Sequence, residues 1–281
     1  MNEHIIIVIN YNNYEDTINC VESLLKLNGN RKIMIFDNNS TTDAYNILFN
    51  KYQDNSDIYF CKSMKNLGYS GGIDFAFQDI VRNKYEYDFI HTSNSDIIIE
   101  DIDFLLKIES FYNKKDFFML GPRVITNKIN TSPIGYFRKK EDFFKELSKL
   151  NILATGLKIF SMITFDSFEN KLEGNRNAGI AASTIERMKT EEITPILSGC
   201  YTIFSKQHIE KFNYLYRPLT FLYNEEMIIT YTLMNEGIDK IYFDEDIEVF
   251  HYHGGCSKGS SRRKAILIKQ NIKELKKLKG E

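Results

Sequence analysis

The chain has 281 residues, 43% of them hydrophobic and 14% aromatic, enough for one large domain with a sizeable core, or one domain with an extension. Its 36 basic and 38 acidic residues leave a net charge of -2, which excludes binding through bulk positive charge, so no nucleic-acid partner is expected. Cys20, Cys61, Cys200 and Cys256 are scattered with no C-x-x-C pair, which excludes a zinc knuckle or a dense disulfide framework, and no apolar run approaches the roughly 18 residues that a membrane span needs.

Residues 4–9 (HIIIVI) form a continuous β-branched run, the pattern of a strand buried on both faces. Glu3 and His4 lead straight into it without an apolar leader, so a cytoplasmic protein with reduced thiols is expected. Ile18, Val21, Leu24 and Leu25, at helical spacing, predict a helix from Tyr14. A strand over 32–36, a helix over 43–52 and a strand over 57–61 follow. Ile73, Phe77 and Ile80 predict a third helix beginning near Gly72, and residues 88–91 a fourth strand. This alternation predicts a parallel, doubly wound sheet, in which ligands bind beyond the carboxyl ends of the strands.

Polar patches occupy those ends. Asn10-Tyr11-Asn12 follows the first strand and Asp37-Asn38-Asn39-Ser40 the second. "NLGYSGG", containing Asn66, Gly71 and Gly72, follows the third, and Asn94-Ser95-Asp96 the fourth. Such convergence predicts one shared ligand site. Asp37 suits hydrogen bonds from a base or ribose, or a cap on the next helix. Gly71 and Gly72 before a helix would let backbone N–H groups approach a phosphate, although neither G-x-G-x-x-G nor a Walker lysine is present. Asp96 is a hard oxygen ligand, suited to a divalent cation on a diphosphate.

"IVINYNNYEDTINCVESLL", "IFDNNSTTD", "NLGYSGGIDFAF" and "SNSDIIIE" together resemble the family-2 glycosyltransferases of the GT-A fold. The likeness is to the rhamnosyltransferase-like branch that builds bacterial surface polysaccharides. It implies an α/β fold, a Rossmann-like, mostly parallel sheet flanked by helices. It also implies that the first two stretches bind the nucleotide, and that Asp96 is the metal-binding end of the D-x-D motif, with Asn94 in place of its first Asp. Asp74 stands where the family often has Asn, as a nucleotide contact or a helix cap. "ILSGCYTIFSKQHIEKF" is similar to the acceptor side, with Gly199 allowing close approach. "FLYNEEMIITYTLMNEG" is similar to the segment carrying the catalytic base, where Glu225-Glu226 replaces the usual Glu-Asp and either carboxylate is a candidate. "VFHYHGGCS" matches the late His motif, which makes His251 a metal or phosphate ligand and His253 a weaker one.

The resemblance covers residues 4–125 and 195–257 and implies one catalytic domain over 1–257. In it 1–125 form the nucleotide-sugar half, 126–194 a variable insertion over the acceptor site, and 195–257 the acceptor and base half. The implied reaction is inverting transfer from a UDP- or dTDP-sugar to a saccharide acceptor, often lipid-linked, with Mn²⁺ or Mg²⁺. Such chemistry belongs to capsule, O-antigen or related cell-envelope synthesis. A degenerate nucleotide-sugar-binding protein with a scaffolding role is the alternative; nucleotidyl transfer would need a basic Gly-rich loop that "NYNNYEDT" lacks. The segment 258–281 is predicted to be a basic amphipathic helix, with Ala265, Ile268, Ile272, Leu275 and Leu278 as its stripe. Two readings stand for it: docking on the domain, or contact of 262–279 with an anionic membrane at the inner face of the plasma membrane.

Overall fold

A computed structural model describes residues 2–160, 166–252, 261–276 and 278. In the first strand, β1 (Glu3–Asn10), Ile5, Ile6, Ile7 and Val8 are wholly buried, as an unbroken apolar run requires. Side chains alternate across a strand, so Ile6 and Val8 enter one core and Ile5 and Ile7 the other. Helix α1 (Tyr14–Leu24) covers the first face with Cys20, Val21 and Leu24. Strand β2 (Asn30–Asp37) repeats the division, with Ile33 and Ile35 on one side and Met34 and Phe36 on the other. Helix α2 (Ala44–Tyr52) and strand β3 (Ile58–Lys62) follow. Helix α3 (Gly68–Arg82) covers the second face with Ile73, Ala76, Phe77 and Ile80. It begins at Gly68 rather than Gly72, so Gly71 and Gly72 lie within the helix.

Strand β4 (Phe89–Asn94) runs on past the predicted His91, and Thr92 and Ser93 are buried strand residues. Next come β5 (Ile97–Ile98), α4 (Phe104–Lys114), β6 (Met119–Thr126), β7 (Ile129–Asn130) and β8 (Gly135–Phe137). Two long helices, α5 (Asp142–Phe160) and α6 (Asp166–Met188), fill most of the insertion. The chain ends with β9 (Thr194–Ile196), β10 (Tyr201–Ser205), α7 (Lys206–Phe212), α8 (Glu225–Asn235), β11 (Ile241–His251) and α9 (Ser261–Leu275).

The main sheet has the order β3-β2-β1-β4-β10-β6-β11-β5, with β7 folding back onto β6, and β8 pairs with β9 in a small second sheet. The first four strands are parallel, in the register Asn10 to Asp37 and Ile9 to Asn94. The sheet as a whole is mixed, because β10 is inserted antiparallel between β4 and β6. Strand β11 runs parallel to β6, with a register break between Asp244 and Glu248, and its end meets β5 by pairing His251 with Ile97. The loop before β10 and the tip of β11 therefore reach the edge where β1, β2 and β4 end.

A third core joins Phe137, Phe143, Leu147, Ile196, Ile228 and Tyr231 to the stripe of α9. Ala265, Ile268, Ile272, Leu275 and Leu278 are each no more than 7% exposed. The stripe is thus occupied by the domain, as the docking reading expects; Lys273 and Lys276 face outward. Helix α5 packs its Phe143 and Phe144 on Tyr231 of α8, so the insertion borders α8 and α9. No helix among the described residues is long and apolar enough to cross a membrane.

Candidate active site

The first two patches are stitched together. Asn10, fully buried, donates its amide to Asp37 Oδ2 (2.8 Å) and Ser40 Oγ (3.3 Å). Its carbonyl oxygen accepts from the Asn13 N–H (3.3 Å) and the Thr17 hydroxyl (3.0 Å). Asp37 also accepts from the Ser40 N–H (2.9 Å) and hydroxyl (2.6 Å). Asp37 does not cap the next helix, whose N-cap is Asp43; its bonds to Asn10 and Ser40 shape the two loops. Asn12, at φ 57°, takes the N–H groups of Thr41 (2.7 Å) and Thr42 (3.2 Å), and Asn39, at φ 62°, turns the second loop. Tyr11 stays exposed at the rim.

The third patch is held by the second. Asn38 donates to Gly68 O (2.8 Å) and accepts from the Leu67 N–H (2.9 Å), while Asn66 accepts from the Gly68 N–H (2.9 Å). At Gly68 the backbone closely approaches another chain segment. The φ of Gly68 is +75°, and a Cβ there would lie 1.9 Å from Phe221 O. At Gly72 a Cβ would meet Phe36, Ile9 and Asn38 side chains within 3.3 Å, so its smallness serves packing; Gly71 has room. Asp74 is half-buried, and burial raises its carboxyl above the ordinary range. Beyond Gly68, the Tyr69 N–H bonds Phe221 O (2.8 Å) and the Ser70 hydroxyl bonds Thr220 O (2.8 Å). The start of α3 is thereby fastened to the loop leading into α8.

The fourth patch meets the tip of β11. The Asn94 N–H bonds Cys200 O (2.9 Å), Ser95 is buried, and Asp96 is 3% exposed. His251 Nε2 lies 3.1 Å from Asp96 Oδ1, and the Tyr252 N–H bonds Asp96 O (3.1 Å). A carboxylate oxygen and an imidazole nitrogen held that close form a donor pair that fits a divalent cation such as Mn²⁺ or Mg²⁺. Among the described residues no group of three or more His, Cys, Asp or Glu could hold a metal, so phosphate oxygens and water would complete such a shell. His253 lies outside the described residues.

The acidic pair opens α8. Asn224, at φ 73°, is its N-cap, and the helix dipole favours carboxylates in the first turn. Glu225 is 4% exposed, whereas Glu226 is partly open. Burial, then the charge of Glu226, raises the Glu225 carboxyl well above the ordinary range. Burial raises Glu226 as well, opposed by its own N–H and that of Gly199. Both carboxyls are thus raised, and Glu226 is the more open of the two. Its Oε1 accepts from the Gly199 N–H at 3.2 Å, and a Cβ on Gly199 would stand 2.5 Å from that oxygen. The Tyr69 hydroxyl donates to Gly199 O, and its ring stacks edge-on against Tyr216. Burial, then the charges of Asp96 and Glu226, pushes the Cys200 thiol up to about 12; Cys200 O takes the Asn94 N–H while its neighbour Gly199 bonds Glu226.

The structure therefore gathers Asn94, Asp96, Gly199, Glu225, Glu226 and His251 at one edge, bordered by the loops that carry Tyr11, Asn12, Asn39 and Asn66. Sequence reasoning passed over Asn38, Tyr69 and Ser70, although all three lie inside quoted stretches. Their partners, up to 150 residues away, gave no local signal.

The family described as "Glycosyl transferase family 2" matches residues 5–212. No curated protein matches the chain in sequence. Among solved structures, S. aureus TarS 1-349 in complex with UDP superposes with a TM-score of 0.56 at 12% identity, covering 96% of this chain and 65% of that one. The same fragment without UDP gives 0.55 at 13% identity, covering 89% and 60%. The mannosyltransferase PcManGT from Pyrobaculum calidifontis, in complex with GDP-Man and Mn²⁺, gives 0.55 at 10% identity, covering 92% and 58%. The chain thus spans less than two thirds of the length of each of these structures.

Proposed function

The chain belongs to glycosyl transferase family 2, and from that premise we propose that its sheet-edge site performs inverting glycosyl transfer from a nucleoside-diphosphate sugar to a saccharide hydroxyl. The observation that carries this reading is the arrangement of Glu226. It is a partly open carboxylate oriented by the Gly199 N–H, beside a buried partner and near the Asp96–His251 pair.

Glu226 takes the proton of the acceptor hydroxyl as that oxygen attacks the anomeric carbon. The new C–O bond forms on the face opposite the departing diphosphate, which leaves with the bonding electron pair. Glu225, buried and protonated, keeps the pair at a single negative charge. Asp96 and His251 would hold a divalent cation, Mn²⁺ or Mg²⁺, which would offset the charge developing on the diphosphate. The loops braced by Asn10, Asp37 and Asn12 shape the nucleotide cradle, with Tyr11, Asn39, Asn66 and the start of α3 at its wall. UDP and dTDP are the expected nucleotides. The structures in complex with UDP and with GDP-Man and Mn²⁺ support a nucleotide sugar and a divalent metal. The acceptor is a saccharide of the kind used in surface-polysaccharide synthesis.

The test is a panel of UDP-GlcNAc, UDP-glucose, dTDP-rhamnose and GDP-mannose with Mn²⁺, reading hydrolysis and thermal shift together. A donor at 100 times its Kd should stabilise the protein by about 2.7 kcal/mol. Turnover should vanish in Asp96→Ala. Stabilisation without turnover on any donor or added saccharide would favour the degenerate binding protein instead.

A further inference from the structure

The stripe of α9 contains a polar residue that docking does not require. Asn271 lies between Ile268 and Ile272, is 5% exposed, and faces the third core. A buried amide without partners costs more than an apolar side chain in the same place. This one is satisfied by a single target. Its Nδ2 donates to Leu222 O at 2.7 Å and Tyr223 O at 3.2 Å, and lies 3.4 Å from Asn224 Oδ1.

Those three residues form the turn before the acidic pair. Tyr223 and Asn224 both have φ 73°, a left-handed conformation uncommon for residues with a Cβ. Two such residues in succession persist where the surroundings hold them. Glu225 and Glu226 follow the turn directly, and Asn224 O receives the Ile228 N–H (3.0 Å) that starts α8. The other side of the same loop is fixed by Tyr69 and Ser70 through Phe221 O and Thr220 O. The turn is therefore gripped from the start of α3 on one side and from α9 on the other.

We infer that Asn271 is a positioning residue: the amide of the C-terminal helix clamps the 222–224 turn and thereby sets Glu225 and Glu226 for reaction. This rests on the reading of the acidic pair as the base. It also gives the C-terminal helix a function within the catalytic domain.

The test uses the full chain, with Asn271→Ala, the isosteric Asn271→Asp, and Leu278→Ala, which thins the same stripe while keeping the amide. Hydrogen–deuterium exchange across 222–228 should accelerate at least tenfold in both Asn271 variants and stay at the parent rate in Leu278→Ala. Turnover on the best donor of the panel should show kcat reduced tenfold or more in Asn271→Ala, with KM and UDP binding within twofold. Asn271→Asp, which sets an oxygen against two carbonyl oxygens, should lose at least as much despite its matching shape. Unchanged exchange across 222–228 overturns the clamp. Faster exchange with unchanged kcat, where Glu226→Gln is inactive, overturns the positioning role and leaves the base assignment standing. Full activity in both Glu225→Gln and Glu226→Gln overturns the base assignment itself, and the positioning role with it.

Discussion

Replacing Gly199 with alanine isolates the orientation of the base from its chemistry. The added methyl would sit 2.5 Å from Glu226 Oε1, 3.0 Å from Cδ and 3.1 Å from Cγ. Ordinary contact begins at 3.4 Å, so the carboxylate must withdraw by about 0.9 Å and loses the 3.2 Å bond from the Gly199 N–H. Because the colliding atoms end a flexible side chain, the fold loses about one hydrogen bond, on the order of 1 kcal/mol. In a domain of this size that lowers Tm by about 2–4 °C. A displacement near 1 Å at a reacting group costs about 100-fold in rate, roughly 2.7 kcal/mol of barrier. Gly199→Ala should therefore melt close to the parent, bind UDP as well, and turn over donor about 100-fold more slowly. Adding Glu226→Asp removes a methylene and draws the carboxylate back from the methyl. The double variant should recover at least tenfold over Gly199→Ala alone. Turnover within threefold of the parent in Gly199→Ala would refute the geometric argument.

Three further outcomes are expected. Because burial raises Glu226, the acid limb of kcat should lie above the ordinary carboxylate range and stay in place in Glu225→Gln, since a protonated Glu225 has no charge to remove; a limb near pH 4 in the parent contradicts this. His4 is lowered to about 4 by burial, against the pull of Asp88, and His91 is held well below the ordinary range by burial and by His4. Both are neutral when folded and protonate more readily when unfolded, so their contribution is complete above pH 6.5 and fades as pH falls towards 4. The loss at His4 is on the order of 3 kcal/mol, readable as a falling urea midpoint, and a flat profile from pH 7 to 4.5 would contradict it. Gly68→Ala meets Phe221 backbone at a left-handed φ and should lower Tm by several degrees or abolish folding, whereas Gly71→Ala, with Leu67 Cβ at 3.5 Å, should melt like the parent.

The run HIIIVI announced a strand buried on both faces, and the polar residues after each early strand announced loops that meet at one edge, because both signals are local. Asp96 and His251 each stood out in the sequence, and their 3.1 Å approach follows from the pairing of β11 with β5. The start of α3 was misplaced because Gly68 sits at a left-handed φ that a second chain segment imposes. The bond between Asn10 and Asp37 was not legible, because a polar side chain at a strand end looks the same whether or not it also braces a neighbouring loop. Only the register of β1 and β2 shows that they satisfy each other. The tail's two readings were equal in sequence, and the apolar surface of Phe137, Phe143 and Ile228 covers its stripe.

The place of β10 has a consequence for how the molecule comes into being. Residues 1–114 can form β1 to β4 and their helices, yet β4 then ends the growing sheet with bare N–H and C=O groups. The strand that covers that edge begins at Tyr201, so about a hundred residues must leave the ribosome, around five to twenty seconds of synthesis, before it is paired. During that interval the half-built sheet is a template for sticking to other nascent chains. The same late arrival brings Gly199 and then Glu226 to the edge already holding Asp96, so the site closes only when the sheet does. Truncation anywhere between 115 and 200 therefore yields an aggregating fragment, and donor turnover doubles as a readout of finished folding.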